Sequence, residues 1–485
     1  MSVYLLDPNI EKACRSYEVK KSFLEAAIAM DPDDRRTRYR RRIVEGNILK
    51  TMVWLAWPIL VANLVNISYN LVDAFWLGKI GKETFGAPTV SWPLINLMYS
   101  IGYGYAGAAI SLISQYYGAG DYEMAEKSAS QFIGYSIYMA LVLCAFGYAF
   151  SPHLLYLMGV PPDIYGLAVE YTRTIFLGLP IVLLGYAYIA ISNSIGDTRT
   201  PTILNITSST VNIILDPIMI FGLYGFPAMG VVGAAIATII SRAIVSVAGG
   251  YLLFRGYLGI RIRVKYFKLE GWWLRKIFSI GTPLAIQRSS NSLGFTIMMS
   301  IVSRFGSVVV AAYGVAIRII DVLTAITGAL QRSTSIMIGQ NVGAEKYDRA
   351  WRIAKTALLS VFIILLLGSI VLFVYRSHLV SAFISEPEVI AEGSKIMSIF
   401  TWSIPFFGLF FIAGAIAIGS GHTRFFAIIS IIRLWALRIG LSILFALIMG
   451  WGSTGIYIAM ALSNIVAGLL SIIWAISKRW LKRVI

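Results

Sequence analysis

The chain contains an internal repeat over most of its length, and this repeat restricts the possible folds more than any other feature. The sequence aligns with itself without gaps at an offset of 225 residues, which becomes 222 after the eleventh apolar segment. Matching pairs include Pro58 with Pro283, Asn66 with Asn291, Gln115 with Gln340, Gly118 with Gly343, Pro180 with Pro405 and, in the last part, Gly233 with Gly455. The two halves are therefore predicted to share one fold.

Apolar segments of membrane-spanning length recur in both halves. Of the 485 residues, 58% are hydrophobic and only 13% are charged. Because the hydrocarbon core is about 30 Å thick and a helix rises about 1.5 Å per residue, each span needs roughly 20 apolar residues. We predict twelve helical spans, at 49–78, 84–117, 126–150, 163–193, 200–222, 230–254, 272–303, 308–340, 352–375, 388–418, 425–449 and 453–476. The fold class is an all-α polytopic membrane protein.

Each half has six spans, an even number, so both halves begin and end on the same side of the membrane. They are predicted to form two parallel six-helix lobes, related by an axis along the membrane normal, which face each other across a cavity. The predicted parts are a basic tail at 1–48, an N-lobe at 49–254, an inter-lobe linker at 255–271, a C-lobe at 272–476 and a basic carboxyl terminus at 477–485.

Basic residues collect on one side of the predicted membrane. RRTRYRRR precedes the first span, RGYLGIRIRVKYFKLEGWWLRK follows the sixth and KRWLKR lies near the end, whereas the opposite loops MGVPPDIYG and GFPAMG have no Lys or Arg. Since positive loops stay inside, both termini are predicted to be cytoplasmic, in the cell (plasma) membrane. The net charge of +17 reflects this topology and an affinity for anionic lipid, and no soluble basic domain indicates nucleic-acid binding.

The amino-terminal tail carries a pattern of its own. Ile10, Cys14, Tyr17, Leu24 and Ile28 fall on one face of a predicted helix. The tail therefore either lies on the membrane surface or acts only as a positive anchor.

Two carboxylates inside the membrane break the repeat. Asp73 lies in the first span, and Asn212 and Asp216 lie four residues apart on one face of the fifth. Their repeat partners are Met298, Leu437 and Leu441. A carboxylate near mid-membrane costs about 3 kcal/mol or more, so two of them in one lobe indicate a function.

A bound cation would compensate both carboxylates. Asp73, Asp216, the amide oxygen of Asn212 and a hydroxyl from Thr238 in the sixth span are hard oxygen ligands of the kind that hold Na⁺. Without a metal, two desolvated carboxylates cannot easily both stay ionised, so one of them is expected to bind a proton. The site therefore fits either coupling ion, H⁺ or Na⁺, and no other cofactor is predicted.

Prolines accompany these side chains. Pro217 frees the carbonyl of Ile213 and Pro58 frees that of Trp54, so both helices are expected to bend. Such interruptions mark transporter sites, and we predict Pro58 and Pro217 as hinges. The alternative is that Pro217 only kinks its helix and that the acids pair with Arg or Lys.

The second half carries arginines instead. Within or near its spans lie Arg288, Arg318, Arg332, Arg433 and Arg438, together with one acid, Asp321. Arg318 and Asp321 are three residues apart and are predicted to form a local ion pair. Arg438 has no partner nearby in the sequence, so it is a candidate for lining the cavity.

Several segments together resemble the multidrug and toxic compound extrusion family. They are NLVDAFWLGKIG in span one, SQYYGAGD after span two, NIILDPIMIFG in span five, GAAIAT in span six and GQNVGA after span eight, and the resemblance covers about residues 48–478. It implies a V-shaped cavity and export of organic cations or other amphipathic drugs against inward H⁺ or Na⁺. The family's coupling residues fall on Asp73, Asn212, Asp216 and Thr238.

Other functions compete with this one. A flippase or exporter of lipid-linked saccharides would use arginines such as Arg318, Arg332 and Arg438 to bind pyrophosphate, but it gives the N-lobe acids no role. An enzyme would need a reactive constellation that the sequence does not offer, and a channel would need no acids confined to one lobe. The predicted partners are small-molecule drugs and membrane lipids, and the protein is expected to be a monomer.

Overall fold

The computed structural model describes residues 32–485, and this part of the chain is helical at every predicted span and has no strand. The apolar face predicted between residues 10 and 28 lies outside the described residues. A helix at Pro32–Glu45, which we call the tail helix, precedes the first span.

The N-lobe contains spans one to six. Their helices are Ile48–Ile80, Lys82–Ala119, Tyr122–Leu157, Pro162–Leu177 with Leu179–Ser194, Arg199–Phe221 and Gly230–Arg255. The two helices of span four are bent by 48° where they meet. Pro180, which lies at the start of the second one, has no N–H to continue the helical hydrogen bonds across the break.

The C-lobe repeats this order. Spans seven, eight, nine and twelve are the helices Gly271–Ser303, Ser307–Gly343, Tyr347–Val374 and Ser453–Ile476, and a short helix at Arg376–Ser381 follows span nine. Span ten consists of Pro387–Phe400 and Ile404–Ser420. Span eleven consists of Thr423–Ile431 and the π-helical stretches Ile432–Gly440 and Ile443–Ile448. Span ten is interrupted by a 3₁₀ turn just before Pro405, the repeat partner of Pro180. The break in spans four and ten is therefore part of the repeat.

Spans two and seven differ from the others in polarity. In the described chain nine helical segments are long and apolar enough to cross a membrane, and the bent span four makes ten. Spans two and seven do not reach the same hydropathy because they face each other between the lobes. Gly104 lies against the backbone of Ala285, and the hydroxyl groups of Tyr105 and Thr282 are 3.1 Å apart.

The lobes meet through a reciprocal contact on the side that carries both termini. Gln115 Nε2 donates to the carbonyl of Gly419 at 3.0 Å, and Gln340 Nε2 donates to the carbonyl of Ser194 at 2.8 Å. The two glutamines are repeat partners, and so are Ser194 and Gly419. One contact is therefore made twice, once in each direction.

Two glycines allow the lobes to approach this closely. A β-carbon on Gly118 would collide with the carbonyl oxygen of Gln340, and one on Gly343 would collide with that of Gln115. Small residues commonly let membrane helices pack at short distance. The lobes are thus held together on the predicted cytoplasmic side.

The tail helix lies across this junction. Arg36 forms a salt bridge of 2.5 Å with Glu126 of span three, and Asn341 of span eight donates to the carbonyl of Ile43 at 3.3 Å. Ile43 itself is fully buried. The tail helix therefore contacts both lobes, a role that the positive-anchor interpretation did not include.

The segment between the lobes packs on the N-lobe. Glu126 Oε1 accepts the backbone N–H of Arg261 at 3.1 Å, and Trp273 Nε1 donates to Ser128 at 3.0 Å. The exact limits of the tail, lobes and linker, at 1–48, 49–254, 255–271, 272–476 and 477–485, stay predictions.

Candidate functional site

Asn212 and Asp216 form a buried polar pair in the N-lobe. Both side chains are buried, and Asn212 Nδ2 donates to Asp216 Oδ1 at 3.1 Å across one turn of span five. The second carboxylate oxygen of Asp216 and the amide oxygen of Asn212 are buried without a hydrogen-bond partner. The pair therefore keeps two free acceptor oxygens.

Asp73 approaches this pair from span one. Its Oδ1 is buried without a hydrogen-bond partner, and its charge interacts with that of Asp216. Between residues 32 and 485 neither acid forms a salt bridge with Arg or Lys, so the alternative in which they are neutralised by basic side chains finds no support. We call Asp73, Asn212 and Asp216 the acid cluster; its role in coupling stays a prediction.

Thr238 lies at the edge of the acid cluster. Its hydroxyl is 3.4 Å from the hydroxyl of Tyr69, and Tyr69 interacts electrostatically with both Asp73 and Asp216. Tyr69 was not among the site residues predicted from the sequence. Its spacing was the available signal, since it precedes Asp73 by four residues and so shares a helix face with it.

Pro58 and Pro217 both lie inside continuous helices. Pro58 is within Ile48–Ile80 and Pro217 within Arg199–Phe221, and neither splits its helix. Pro217 directly follows Asp216, so the backbone oxygen that its ring leaves without a donor lies one turn earlier, next to the acid cluster. Their role as hinges stays a prediction.

The ion pair predicted between Arg318 and Asp321 is not formed. The two groups attract each other electrostatically, but no salt bridge joins them in the described part of the chain. Arg318 is exposed and Asp321 is half-buried. A separation of three residues on a helix permits two side chains to make contact but does not force them to do so.

Arg438 lies inside the C-lobe and has neutral partners. Its Nε donates to Ser463 Oγ at 3.1 Å, and its Nη2 donates to Asn464 Oδ1 at 2.6 Å. Both partners belong to span twelve, so Arg438 joins spans eleven and twelve within one lobe.

Two other arginines lie between the lobes. Arg288 of span seven is exposed, and its guanidinium carbon is 5.3 Å from the ring centre of Tyr103 in span two. Arg332 of span eight interacts electrostatically with both. Tyr103 stacks on Tyr186, with ring centres 4.2 Å apart. Within residues 32–485 neither arginine forms a salt bridge or a hydrogen bond, and we call these four residues the cavity cluster.

Arg242 in span six is a further polar residue that was not predicted from the sequence. Its guanidinium donates to the side-chain oxygens of Asn66 and Asn205 at 3.4 and 3.5 Å and lies over Tyr69 at 5.9 Å. At the offset of 222 its repeat partner is Asn464. Extending the comparison of partners to spans six and twelve would have found it.

Two repeated lobes of membrane-spanning helices and a buried acid cluster in only one of them define a membrane transporter. A family model described as MatE matches residues 58–218 and, once more, residues 283–444. The chain therefore belongs to the MatE family, and each half carries one copy of its pattern.

Individual relatives match over most of their length. The chain is 27% identical to the probable multidrug resistance protein YoeA of Bacillus subtilis over 403 residues, 81% of this chain and 86% of that protein. It is 25% identical to an FAD transporter of Shewanella oneidensis over 432 residues, 89% and 95% of the two chains. A crystal structure of MATE in the bent conformation matches with a TM-score of 0.85 at 22% identity, over 91% of this chain and 98% of that one. The predicted fold, twelve helical spans in two six-helix lobes around a V-shaped cavity, is confirmed.

Proposed function

We propose that this protein is a secondary active multidrug exporter, which moves amphipathic compounds and organic cations outward against an inward flow of H⁺ or Na⁺. One observation carries the proposal: in the N-lobe, Asp73, Asn212 and Asp216 each keep one buried oxygen without a hydrogen-bond partner. Such acceptors are costly inside a membrane unless a cation or a proton occupies them. The name of the Bacillus subtilis relative supports drug efflux.

The coupling ion binds between spans one and five. Asp73 and Asp216 supply the charge, and Asn212 turns its free amide oxygen toward the ion while its amide N–H₂ holds Asp216. Either Na⁺ or H⁺ removes the repulsion between the carboxylates. Tyr69, which interacts electrostatically with Asp73 and Asp216, and Thr238, whose hydroxyl is 3.4 Å from that of Tyr69, complete the surroundings of the ion.

Neutralisation changes the shape of the N-lobe. Once the carboxylates no longer repel each other, spans one and five pack more closely, and the prolines at positions 58 and 217 give both helices a place to bend. The N-lobe side of the cavity shrinks, and the drug leaves outward. Release of the ion to the cytoplasm restores the charge and the wider form.

Coupling follows because the ion and the drug favour different conformations. A ligand shifts a conformational equilibrium only by the difference between its affinities for the two states. If the ion favours the narrow form and the drug the wide one, each lowers the affinity for the other by the same factor. Because of this reciprocity, the ion and the drug are exchanged for each other although they do not compete for the same binding atoms.

The test is ethidium transport in proteoliposomes under an imposed pH gradient and, separately, an imposed Na⁺ gradient. D73N and D216N keep the side-chain size and remove the charge, and we expect each to lower gradient-driven transport by at least about tenfold, equal to roughly 1.4 kcal/mol of coupling. D321N, an acid in the C-lobe that is not part of the cluster, is the matched control and is expected to transport normally.

The outcome also identifies the ion, since only the gradient of the coupling ion drives transport. Transport that persists unchanged in both D73N and D216N would contradict the proposal.

A second candidate function rests on the cavity cluster. Arg288 and Arg332 present unpaired guanidinium groups next to Tyr103, a surface that suits a phosphate-bearing compound with a planar ring or a lipid-linked saccharide. The Shewanella oneidensis relative, described as an FAD transporter, favours this reading. If R288Q and R332Q abolish movement of such a compound while D73N does not, this second function replaces the first.

We further propose that the protein works as a monomer in the plasma membrane with both termini in the cytoplasm. The positive-inside pattern supports this orientation. Labelling of single cysteines at the exposed loop positions 159 and 450, with an impermeant reagent applied to intact cells, is expected, and labelling at the equally exposed position 264 is not.

A further inference from the structure

Two arginines lie side by side inside the C-lobe. Arg433 is 5% exposed, and Arg438 is half-buried. Both belong to the π-helical stretch Ile432–Gly440 of span eleven. A π-helix bonds residue i to residue i+5, so positions 433 and 438 come to lie on one face, and such winding is frequent at functional sites.

One neutral oxygen bridges the two guanidinium groups. Asn464 Oδ1 accepts from Arg433 Nη1 at 3.4 Å and from Arg438 Nη2 at 2.6 Å. The amide N–H₂ of Asn464 is itself held by Ser403 at 3.2 Å, so the oxygen is fixed in place. Asn464 therefore positions the arginines next to each other without supplying any charge.

No carboxylate compensates the two positive charges. Arg433 interacts electrostatically with Arg438, and Arg438 with the hydroxyl of Tyr313; no acid contributes at either group within residues 32–485. Glu392 accepts from Tyr457 at 2.7 Å and forms no salt bridge with either arginine. Two like charges therefore face each other in a membrane interior.

Arg433 also keeps a donor free. Its Nε is buried without a hydrogen-bond partner, although its face is covered by the rings of Phe407 and Phe410, whose centres are 5.3 and 5.0 Å from the guanidinium carbon. Cation–π contact covers the face of a guanidinium, whereas the N–H groups at its edge still need acceptors. The arrangement lacks a negatively charged acceptor.

We propose that Arg433 and Arg438 bind a small inorganic monovalent anion, of the chloride class, in the interior of the C-lobe. Tyr313, which interacts electrostatically with Arg438, carries a hydroxyl that can add a neutral donor, whereas the hydroxyl of Ser463 already donates to the carbonyl of Met460 at 2.7 Å. The phenyl walls favour a weakly hydrated, singly charged ion, because a divalent anion loses far more hydration energy on entering such a site. The site is separate from the acid cluster and from the cavity cluster.

The test is thermal unfolding of the full chain in detergent. Sodium gluconate is replaced stepwise by sodium chloride at constant sodium concentration, so that occupancy of the acid cluster does not change. We expect a saturable rise in the melting temperature, because a ligand that binds only the folded state stabilises it. R438Q is expected to abolish the rise, and R438K is expected to keep a weakened one.

Matched variants separate this site from other arginines. R318Q removes an exposed arginine of the same lobe, and the double variant R288Q/R332Q removes the pair between the lobes; both are expected to respond to chloride like the wild type. An equal response in wild type and R438Q overturns the proposal, and so does a response that disappears only in R288Q/R332Q.

A direct measurement needs no variant. Equilibrium dialysis of the wild type with radioactive chloride is expected to show one saturable class of sites, displaced by bromide and not by gluconate. Absence of saturable binding, or displacement only by an organic carboxylate such as benzoate, overturns the proposal. Neither result bears on ethidium transport by D73N, so the two proposals fail independently.

Discussion

The two lobes share one order of helices but differ in the charged side chains that they place at matching positions. In the N-lobe, Asp73 and Asp216 lie where the C-lobe has Met298 and Leu441. In the C-lobe, Arg433 and Arg438 lie where the N-lobe has Ser208 and Ile213. The glycine contacts and the breaks in spans four and ten are present in both halves, whereas each of these four charged residues has an uncharged repeat partner. The repeat therefore preserves the architecture of the lobes, whereas the residues that differ between repeat partners carry the chemistry.

The largest effect is expected when the residue at one repeat position is replaced by the residue that its repeat partner carries. D216L gives the N-lobe the residue that the C-lobe has, and it is expected to abolish gradient-driven efflux while the protein still folds, because an apolar side chain suits a buried site. L441D is expected to lower the stability by about 3 kcal/mol, because no oxygen-rich partner awaits the new carboxylate. Thermal unfolding and ethidium transport check both halves of this prediction.

If L441D proves as stable as the wild type, the two lobes tolerate a buried carboxylate equally well. The acid cluster would then not be a special feature of the N-lobe.

A smaller effect is expected from the amide of the acid cluster. N212L removes the hydrogen bond to Asp216 and one acceptor oxygen, worth about 1.5 kcal/mol or more for a charged partner, so transport is expected to fall about tenfold. N212D restores an oxygen and is expected to retain more activity than N212L. The initial rate of efflux at a fixed gradient is the measurement, and equal rates for the two variants would argue against Asn212 as an ion ligand.

The reciprocal glutamines provide a comparison in which both lobes are expected to behave alike. Q115L and Q340L each remove one inter-lobe hydrogen bond on the predicted cytoplasmic side, worth about 1 kcal/mol. Each is expected to increase opening on that side by a similar, roughly fivefold factor. Accessibility of a cysteine introduced at the buried position 194 to an impermeant reagent in inside-out vesicles measures it. A large effect of only one variant would break the symmetry.

The tail helix contributes less. R36Q removes the salt bridge to the buried Glu126, but Arg263 still pairs with that carboxylate at 3.3 Å, so the expected loss is about 1 kcal/mol. The variant is expected to melt slightly below the wild type at low ionic strength and equally at high ionic strength. R41Q is the control, since Arg41 pairs only with Glu45 on the exposed surface of the same helix.

The smallest effect concerns the loop between spans ten and eleven. Burial lowers the pKa of His422 below its usual value, so the unfolded chain takes up this proton more readily than the folded one. The stability is therefore unaffected well above pH 6.5 and falls as the pH drops through that value. H422N is expected to remove this slope from a plot of melting temperature against pH between 5 and 8. An unchanged slope assigns the pH dependence to other groups.

Much of the fold could be predicted because it depends on regular patterns. Span-length apolar segments gave the helices, and the repeat paired Pro180 with Pro405 at the breaks of spans four and ten. Spans two and seven were predicted although their hydropathy is weaker, since the repeat pairs them with spans eight and one, which are apolar enough to cross a membrane. The π-helical stretch of span eleven has no such signal, because no proline or glycine pair marks it.

The acid cluster was predictable because Asn212 and Asp216 share one helix, where spacing determines contact. The approach of Asp73 from another span depended on tertiary packing that no local pattern encodes. Arg318 and Asp321 show the limit of spacing alone: a contact that the helix permits was not made. Tyr103 and Arg242 were missed for the same reason, since their partners come from other spans.

The paired contacts of Gln115 with Gly419 and of Gln340 with Ser194 also have a consequence for how such a chain arises. Contacts that are made twice, with the partners exchanged, are what two identical subunits form around a two-fold axis. The junction is thus an isologous dimer interface retained within a single polypeptide. In a dimer of identical halves every substitution appears on both sides of the axis. Fusion removes that constraint, so the two lobes can differ at matching positions, as Asp216 with Leu441 and Arg438 with Ile213 do.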